Sequence, residues 1–404
     1  MTKAPGKKAG YLIFLCWAAY TAAYIARLDY NASMVELLAQ LGTTREAAGA
    51  VSSFFFFAYG VGQLVNGLLS RRYNTRVSVA LALAASCLIN LAMTQCRQIG
   101  TMKYLWFCNG AVQSVLWSSL IKTLSDHLEE GDLSRAVMAM STTVASGTFA
   151  AYGMAALFSA LKMHWTSIFY VASGAVGLVA VVWFVGMGSF REKGSAAAPA
   201  ERRSGSLGKL PPALALHVGV ILVCAVANGF VKDGVITWVP SILKETFGVP
   251  ASLSIIVTLL LPVLSIFGAS LVSRLHRRIR DENALNGIFY FAAVILVAAV
   301  TLTLKLCSVA LTLVLFGGIA CLMAAVNNVI TSVVPLYSRD RIDSGLAAGL
   351  LNTFCYVGST MSTTLLGRIA DDRGWTPVFG CILAFTLAAL TACALSLAAR
   401  KKAN

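Results

Sequence analysis

Two basic residues interrupt segments that are otherwise apolar enough to cross a bilayer: Arg27 in YLIFLCWAAYTAAYIARLDYNASM and Lys232 in LALHVGVILVCAVANGFVKDGVITWVP. A cation at bilayer depth costs about 2.5 kcal/mol or more unless it faces protein or water, so both are expected to line a polar path. They stand 205 positions apart, about half the chain. The chemistry open to such a pair is anion recognition, with one positive side chain from each half gripping a dianion through charge-assisted bonds roughly twice as strong as neutral ones. Asp29 and Asp233 lie close by in sequence. On an ideal helix Asp29 diverges from Arg27 by about 200° and Asp233 from Lys232 by about 100°, so pairing within either helix is poor and pairing across the halves is the alternative. The two carboxylates are expected to serve as fixed counter-ions or as proton-exchanging groups that couple anion movement to a proton gradient.

The elements that must position these groups are membrane helices. The 404 residues are 58% hydrophobic and only 12% charged, against about 25% charged in soluble domains, which excludes a soluble enzyme. Apolar stretches of the length that crosses roughly 30 Å of hydrocarbon recur along the chain. Period-two alternation is missing, so a barrel is not expected. Twelve spans are placed at 9–36, 46–70, 76–96, 102–126, 135–161, 164–187, 213–244, 251–274, 285–304, 307–332, 343–370 and 375–399. The first has no small-residue cleavage site and holds Arg27, so it reads as a retained helix.

Charge orients the spans. With the N-terminus in the cytoplasm, 21 of the 32 Lys and Arg fall on that side and 8 on the other, which places both termini inside. The formal charge of +15 is a topology signal, because the basic residues are dispersed over short loops rather than gathered on a nucleic-acid-binding face. Ten cysteines without metal-type spacing and four scattered histidines offer no metal site and no cofactor chemistry. The cysteines read as small buried hydrophobes.

The segment 188–212, GSFREKGSAAAPAERRSGSLGKLPP, has linker composition. It divides the chain into an N-terminal bundle at 1–187 and a C-terminal bundle at 213–404, six spans each. Arg72 recurs as Arg274 after 202 residues, Arg27 as Lys232 after 205, Arg135 as Arg341 after 206, and Trp165 as Trp375 after 210. Four matches in order at nearly one offset indicate a parallel six-helix repeat. The fold class is therefore an all-α membrane protein with twelve transmembrane helices in two pseudo-symmetric six-helix bundles. In such repeats the substrate lies near the midplane and access alternates as one bundle rocks against the other.

The residues also resemble the organophosphate:phosphate antiporter family of the major facilitator superfamily, over essentially the whole chain. Tyr20, Tyr24 and Arg27 in YTAAYIARLDY match its Tyr-rich first helix, and Tyr59 in AYGVGQLVNGLLSRR matches a cavity tyrosine. Gly110, Gln113 and Trp117 reproduce its Gly-x-x-Gln-x-x-x-Trp pattern. Asn228, Lys232, Trp238 and Pro240 are similar to its seventh helix, and Tyr356 in GLLNTFCYVG completes the set. The resemblance implies that Arg27 and Lys232 bind substrate phosphate, that inorganic phosphate is the counter-substrate, and that the first and fourth helices of each half line the cavity. The chain departs from the family at Lys232, where an arginine is expected, and at Gln63, where the glycerol phosphate branch has a lysine. It departs also at Ser146 (histidine), Ser118–Ser119 (a Pro-Pro pair) and Arg71 (aspartate). Lysine is a point charge and arginine a planar fork, so the first exchange alters how phosphate is held.

The expected binding set is thus Arg27, Lys232, Tyr20, Tyr24, Tyr59, Gln63, Gln113, Trp117, Asn228, Asn327, Asn328, Asn352 and Tyr356. The amides are expected either to touch ligand or to bridge helices. Arg72, Arg76, Arg274 and Arg277 are expected to gate the cytoplasmic face. The protein is read as a monomeric transporter in the bacterial inner membrane, taking a small anionic substrate, in contact with lipid and without nucleic acid. A proton-coupled symporter of an organic carboxylate and a non-transporting anion sensor are the alternatives.

Overall fold

The structure, a computed structural model, describes residues 6–69, 74–190, 212–334 and 344–403. The linker expected at 188–212 lies outside them from 191 to 211, as do Arg71, Arg72, Arg339 and Arg341. Helices carry the described chain: α1 Gly6–Ala32, α2 Met34–Leu41, α3 Arg45–Leu69, α4 Thr75–Gln95, α5 Ile99–Gln113, α6 Leu116–His127, α7 Glu130–Ala160, α8 Ser167–Gly186, α9 Pro212–Phe247, α10 Ala251–Val257, α11 Leu260–His276, α12 Glu282–Lys305, α13 Val309–Asn328, α14 Ser344–Arg373 and α15 Trp375–Ala403. Among the described residues, nine helical stretches are long and apolar enough to cross a membrane.

Where the helices stop, local chemistry gives the reason. The expected span 9–36 ends at Ala32, where the Ser33 hydroxyl donates to the Tyr30 carbonyl at 3.0 Å and α2 continues beyond. The span 251–274 is divided into α10 and α11. Pro262 has no N–H to donate to the Thr258 carbonyl, which accepts the Leu261 N–H at 3.1 Å instead. The span 102–126 is divided at Ser114, whose hydroxyl turns back to the Ala111 carbonyl at 2.6 Å, a competition with the ladder that bends helices. Asn74 and Asp281 cap α4 and α12 by accepting the Val77 and Ala284 N–H groups at 2.9 and 2.8 Å.

The chain divides into two compact units. Of the described residues, one holds 6–43, 57–69, 74–190 and 251–256, and the other holds 44–56, 212–250, 257–334 and 344–403. In the first, Leu15 of α1, Leu83 of α4, Leu120 of α6, Met140 of α7 and Trp183 of α8 meet in one apolar core. Ala19, Ala22, Ala23 and Ala26 are buried along α1, small residues of the kind that let membrane helices approach closely.

In the second unit, α9 and α14 cross almost backbone to backbone. A Cβ on Gly229 would lie 1.7 Å from the Cys355 carbonyl oxygen, and one on Gly358 would lie 1.9 Å from that of Val226. The first turns of α3 belong to this unit. The Arg45 guanidinium pairs with Glu245 at 2.6 Å and Asp371 at 2.7 Å. Trp375 Nε1 donates to the same Glu245 at 2.8 Å.

Candidate functional site

Arg27 is 8% exposed on α1. Its guanidinium sits 4.4 Å from the centre of the Tyr59 ring and 5.2 Å from that of Tyr24. Desolvated cation–π contacts of this kind contribute about 2 kcal/mol, and unlike a carboxylate they hold a guanidinium without cancelling its charge. Tyr59 is neighboured by Tyr20 and Gln63. Tyr20 packs against Tyr24 at 5.2 Å and Trp117 at 4.8 Å between ring centres. Trp117 is 37% exposed while Tyr20 is buried, so the indole forms the outer edge of this aromatic cluster. The structure therefore gathers Tyr20, Tyr24, Arg27, Tyr59, Gln63 and Trp117 within the first unit. Gly147 allows it: a Cβ there would lie 2.4 Å from Tyr24 Cβ, so α7 can lie directly against α1 at this level.

One residue before Arg27, the Ala26 carbonyl collects three side-chain amides: Asn109 Nδ2 at 2.9 Å, and Asn90 Nδ2 and Gln113 Nε2 at 3.3 Å each. Ser86 donates to Asn109 at 2.7 Å and accepts from Gln113 at 3.0 Å. Gln113 is 2% exposed and its donor group is committed to this knot. Of the two roles expected for it, the structure shows the helix bridge. Asn90, Asn109 and Ser86 were not among the expected site residues, although an amide in an apolar run and the Asn109–Gln113 spacing of one helical turn are readable signals.

Asp29, expected as a counter-ion or coupling group, is set apart from the Arg27 cluster. It is fully buried, its Oδ1 accepts the Tyr30 N–H at 2.7 Å, its Oδ2 has no hydrogen-bond partner, and it makes no ion pair among the described residues. The roughly 200° that separates it from Arg27 turns it away, and its short side chain folds back onto backbone instead.

In the second unit the expectation against pairing within the helix is corrected. Lys232 Nζ lies 3.6 Å from Asp233 Oδ1, because a flexible four-carbon stem spans the 100° offset that backbone geometry imposes. The other carboxylate oxygen accepts the Ser359 hydroxyl. Asn228 is fully buried and donates to Asn327 Oδ1 at 3.2 Å, linking α9 to α13. A π-helical turn, Val329–Val333, follows Asn327 and Asn328, both half-buried. Tyr356 stacks on Phe56 at 6.0 Å, and Asn352 is half-buried one turn before it. Trp238 is a packing residue, fully buried, with Nε1 donating to the Thr363 carbonyl at 3.2 Å.

The gate residues separate. Arg72 lies outside the described residues. Arg76 is held inside the first unit: Nε donates to the Phe184 carbonyl at 2.9 Å, the guanidinium covers the Phe184 ring at 4.4 Å, and its own carbonyl accepts Trp183 Nε1 at 3.1 Å. Arg274 and Arg277 are exposed at the end of α11. All ten cysteines are free thiols, and the described residues hold no cluster suited to a metal.

Comparison with known proteins places this arrangement. The chain is 28% identical over 109 residues to the membrane sensor protein UhpC of Escherichia coli (strain K12), a match spanning 27% of this chain and 24% of that protein. It is 23% identical to the glycerol-3-phosphate transporter of Bacillus subtilis (strain 168) over 94% of this chain and 90% of that one. Among solved structures, a bacterial homologue of the human lysosomal transporter Spinster superposes with a TM-score of 0.78 at 13% identity, covering 97% of each chain. The D-xylose–proton symporter does so with a TM-score of 0.71 at 13% identity, covering 95% of this chain and 96% of that one. These likenesses show a shared fold. The Major Facilitator Superfamily model matches residues 12–342, and the chain belongs to that superfamily of integral membrane transporters, not to an enzyme class.

Proposed function

We propose that the protein exchanges a small organophosphate for inorganic phosphate, with Arg27 and Lys232 binding the same dianion during the cycle. The observation that carries this reading is the buried Arg27 guanidinium held against the Tyr24 and Tyr59 rings, 5.2 and 4.4 Å from their centres. The 205-residue offset to Lys232 supplies the second cation at the repeat-related position. Relatives named for glycerol-3-phosphate and phosphoglycerate transport align over 94% and 95% of this chain, which supports a phosphate ester as cargo. Tyr20, Tyr59 and Gln63 offer donors to phosphate oxygens, and Trp117 a wall for the organic part. The expected setting is a bacterial inner membrane with both termini in the cytoplasm, supported by the Lys and Arg asymmetry.

The test is counterflow. Reconstituted protein loaded with phosphate is expected to exchange labelled phosphate without a proton gradient. Uptake that an uncoupler abolishes and internal phosphate does not affect would assign proton symport instead. A second reading, anion sensing without transport, is favoured by the local likeness to a protein named a membrane sensor. Phosphate that stabilises the purified protein but produces no flux would establish it.

A further inference from the structure

The close crossing of α9 and α14 has a chemical result beside Lys232. With no side chain at Gly229 or Gly358, Ser359 comes within reach of the neighbouring helix; a Cβ on Gly229 would lie 3.0 Å from Ser359 Oγ. Ser359 is buried, and its single hydroxyl proton has three acceptors nearby: Asp233 Oδ2, the nearest, then the Cys355 carbonyl at 3.1 Å and the Gly229 carbonyl at 3.5 Å. A carboxylate is the strongest acceptor of the three. Asp233 therefore divides its oxygens, Oδ2 to Ser359 and Oδ1 toward Lys232 at 3.6 Å. A closed ammonium–carboxylate bond is about 2.7–2.9 Å, so the carboxylate stands short of full contact with the lysine while its other oxygen is engaged by the serine. The Lys232 side chain is 30% exposed.

We infer that Asp233 is a tethered anion that an incoming substrate must displace from Lys232, and that Ser359 is the positioning residue that sets how hard it is to displace. The inference rests on the reading that Lys232 binds the substrate anion. Its consequence is selectivity by charge. Coulomb attraction scales with ligand charge, so a divalent phosphate or phosphate monoester outcompetes a fixed single carboxylate at the same distance, whereas a monocarboxylate only matches it and loses. Asp233 thus selects dianions even though a lysine lacks the planar fork that would recognise phosphate by shape.

The experiment measures phosphate exchange in proteoliposomes, with lactate as the competing monoanion, for wild type, Asp233→Asn, Ser359→Ala and Ser359→Thr. Asp233→Asn is expected to lower the phosphate KM several-fold and to make lactate an inhibitor. Ser359→Ala, which frees the carboxylate to close on Lys232, is expected to raise KM several-fold with little change in maximal rate, and Ser359→Thr to restore it. Unchanged KM and unchanged lactate exclusion in Asp233→Asn, or an equal KM in Ser359→Ala and wild type, overturn the inference. The same series is read as anion-dependent melting of purified protein, which needs no transport and whose unliganded transition verifies folding. Wild type that exchanges no phosphate defeats the antiport reading alone; Asp233→Asn that gains no stabilisation from lactate in melting defeats this inference.

Discussion

Arg45 meets Asp371 twice: its guanidinium Nη1 lies 2.7 Å from Asp371 Oδ1, and its backbone N–H donates to the same oxygen at 3.2 Å. The other oxygen accepts the Glu46 N–H at 2.8 Å, so one carboxylate from α14 caps α3 and neutralises its first side chain. A lost cap costs about 1 kcal/mol. The ion pair is partly exposed and adds less than it would in a dry interior. Asp371→Asn is expected to lower stability by about 1 kcal/mol, and a double mutant with Arg45→Ala to cost less than the sum of the two, as groups in one network do. Melting of the purified protein checks both; strict additivity would show that the two groups act separately.

Gly229→Ala places a methyl 1.7 Å from the Cys355 carbonyl oxygen, and backbone cannot yield as a side-chain tip does. Loss of folded protein is expected, by several kcal/mol of overpacking. Gly380 on α15 has nothing within 4 Å of the same position, and Gly380→Ala is expected to be neutral or slightly stabilising. Equal yields and melting temperatures for the two variants would contradict the crossing.

Arg27→Lys keeps the charge between Tyr24 and Tyr59 but removes the planar fork. If the fork grips phosphate, one charge-assisted bond of about 1.5–3 kcal/mol is lost, a drop of about ten- to hundredfold in phosphate exchange. Arg27→Ala is expected to abolish exchange with folding intact. Exchange at the wild-type rate in Arg27→Lys would place phosphate recognition elsewhere.

Gln113→Ala separates a helix bridge from a ligand contact. Hydrogen bonds between membrane helices average about 0.6 kcal/mol, so the variant is expected to melt earlier by a small margin while its phosphate KM stays unchanged. A KM that rises without a change in melting would return Gln113 to the binding set.

Hydropathy and the placing of two cations carried most of the fold into view, because a charged residue in an apolar run has few physical explanations. The partners of those cations were harder to see. Tyr59 reaches Arg27 from α3, and the rotational phase of that helix depends on Gly62 fitting against Ser114, where a Cβ would lie 2.2 Å from Ser114 Oγ. Arg45 read as one more residue of the charge asymmetry, since its carboxylates stand 200 and 326 positions away. Lys232 and Asp233 were expected apart because an ideal helix fixes where Cβ atoms point but not where a long side chain ends. Ser359 carried no signal of its own; its role comes from a neighbouring helix brought close by glycines.

The Ala26 carbonyl, pinned by amides from α4 and α5, fixes the azimuth of α1. Rolling such a helix about its own axis to aim or withdraw the guanidinium that follows gives up these bonds. A screw-like turn of the first helix alone would break three hydrogen bonds at about 0.6 kcal/mol each, whereas a tilt of α1, α4 and α5 as one block keeps them.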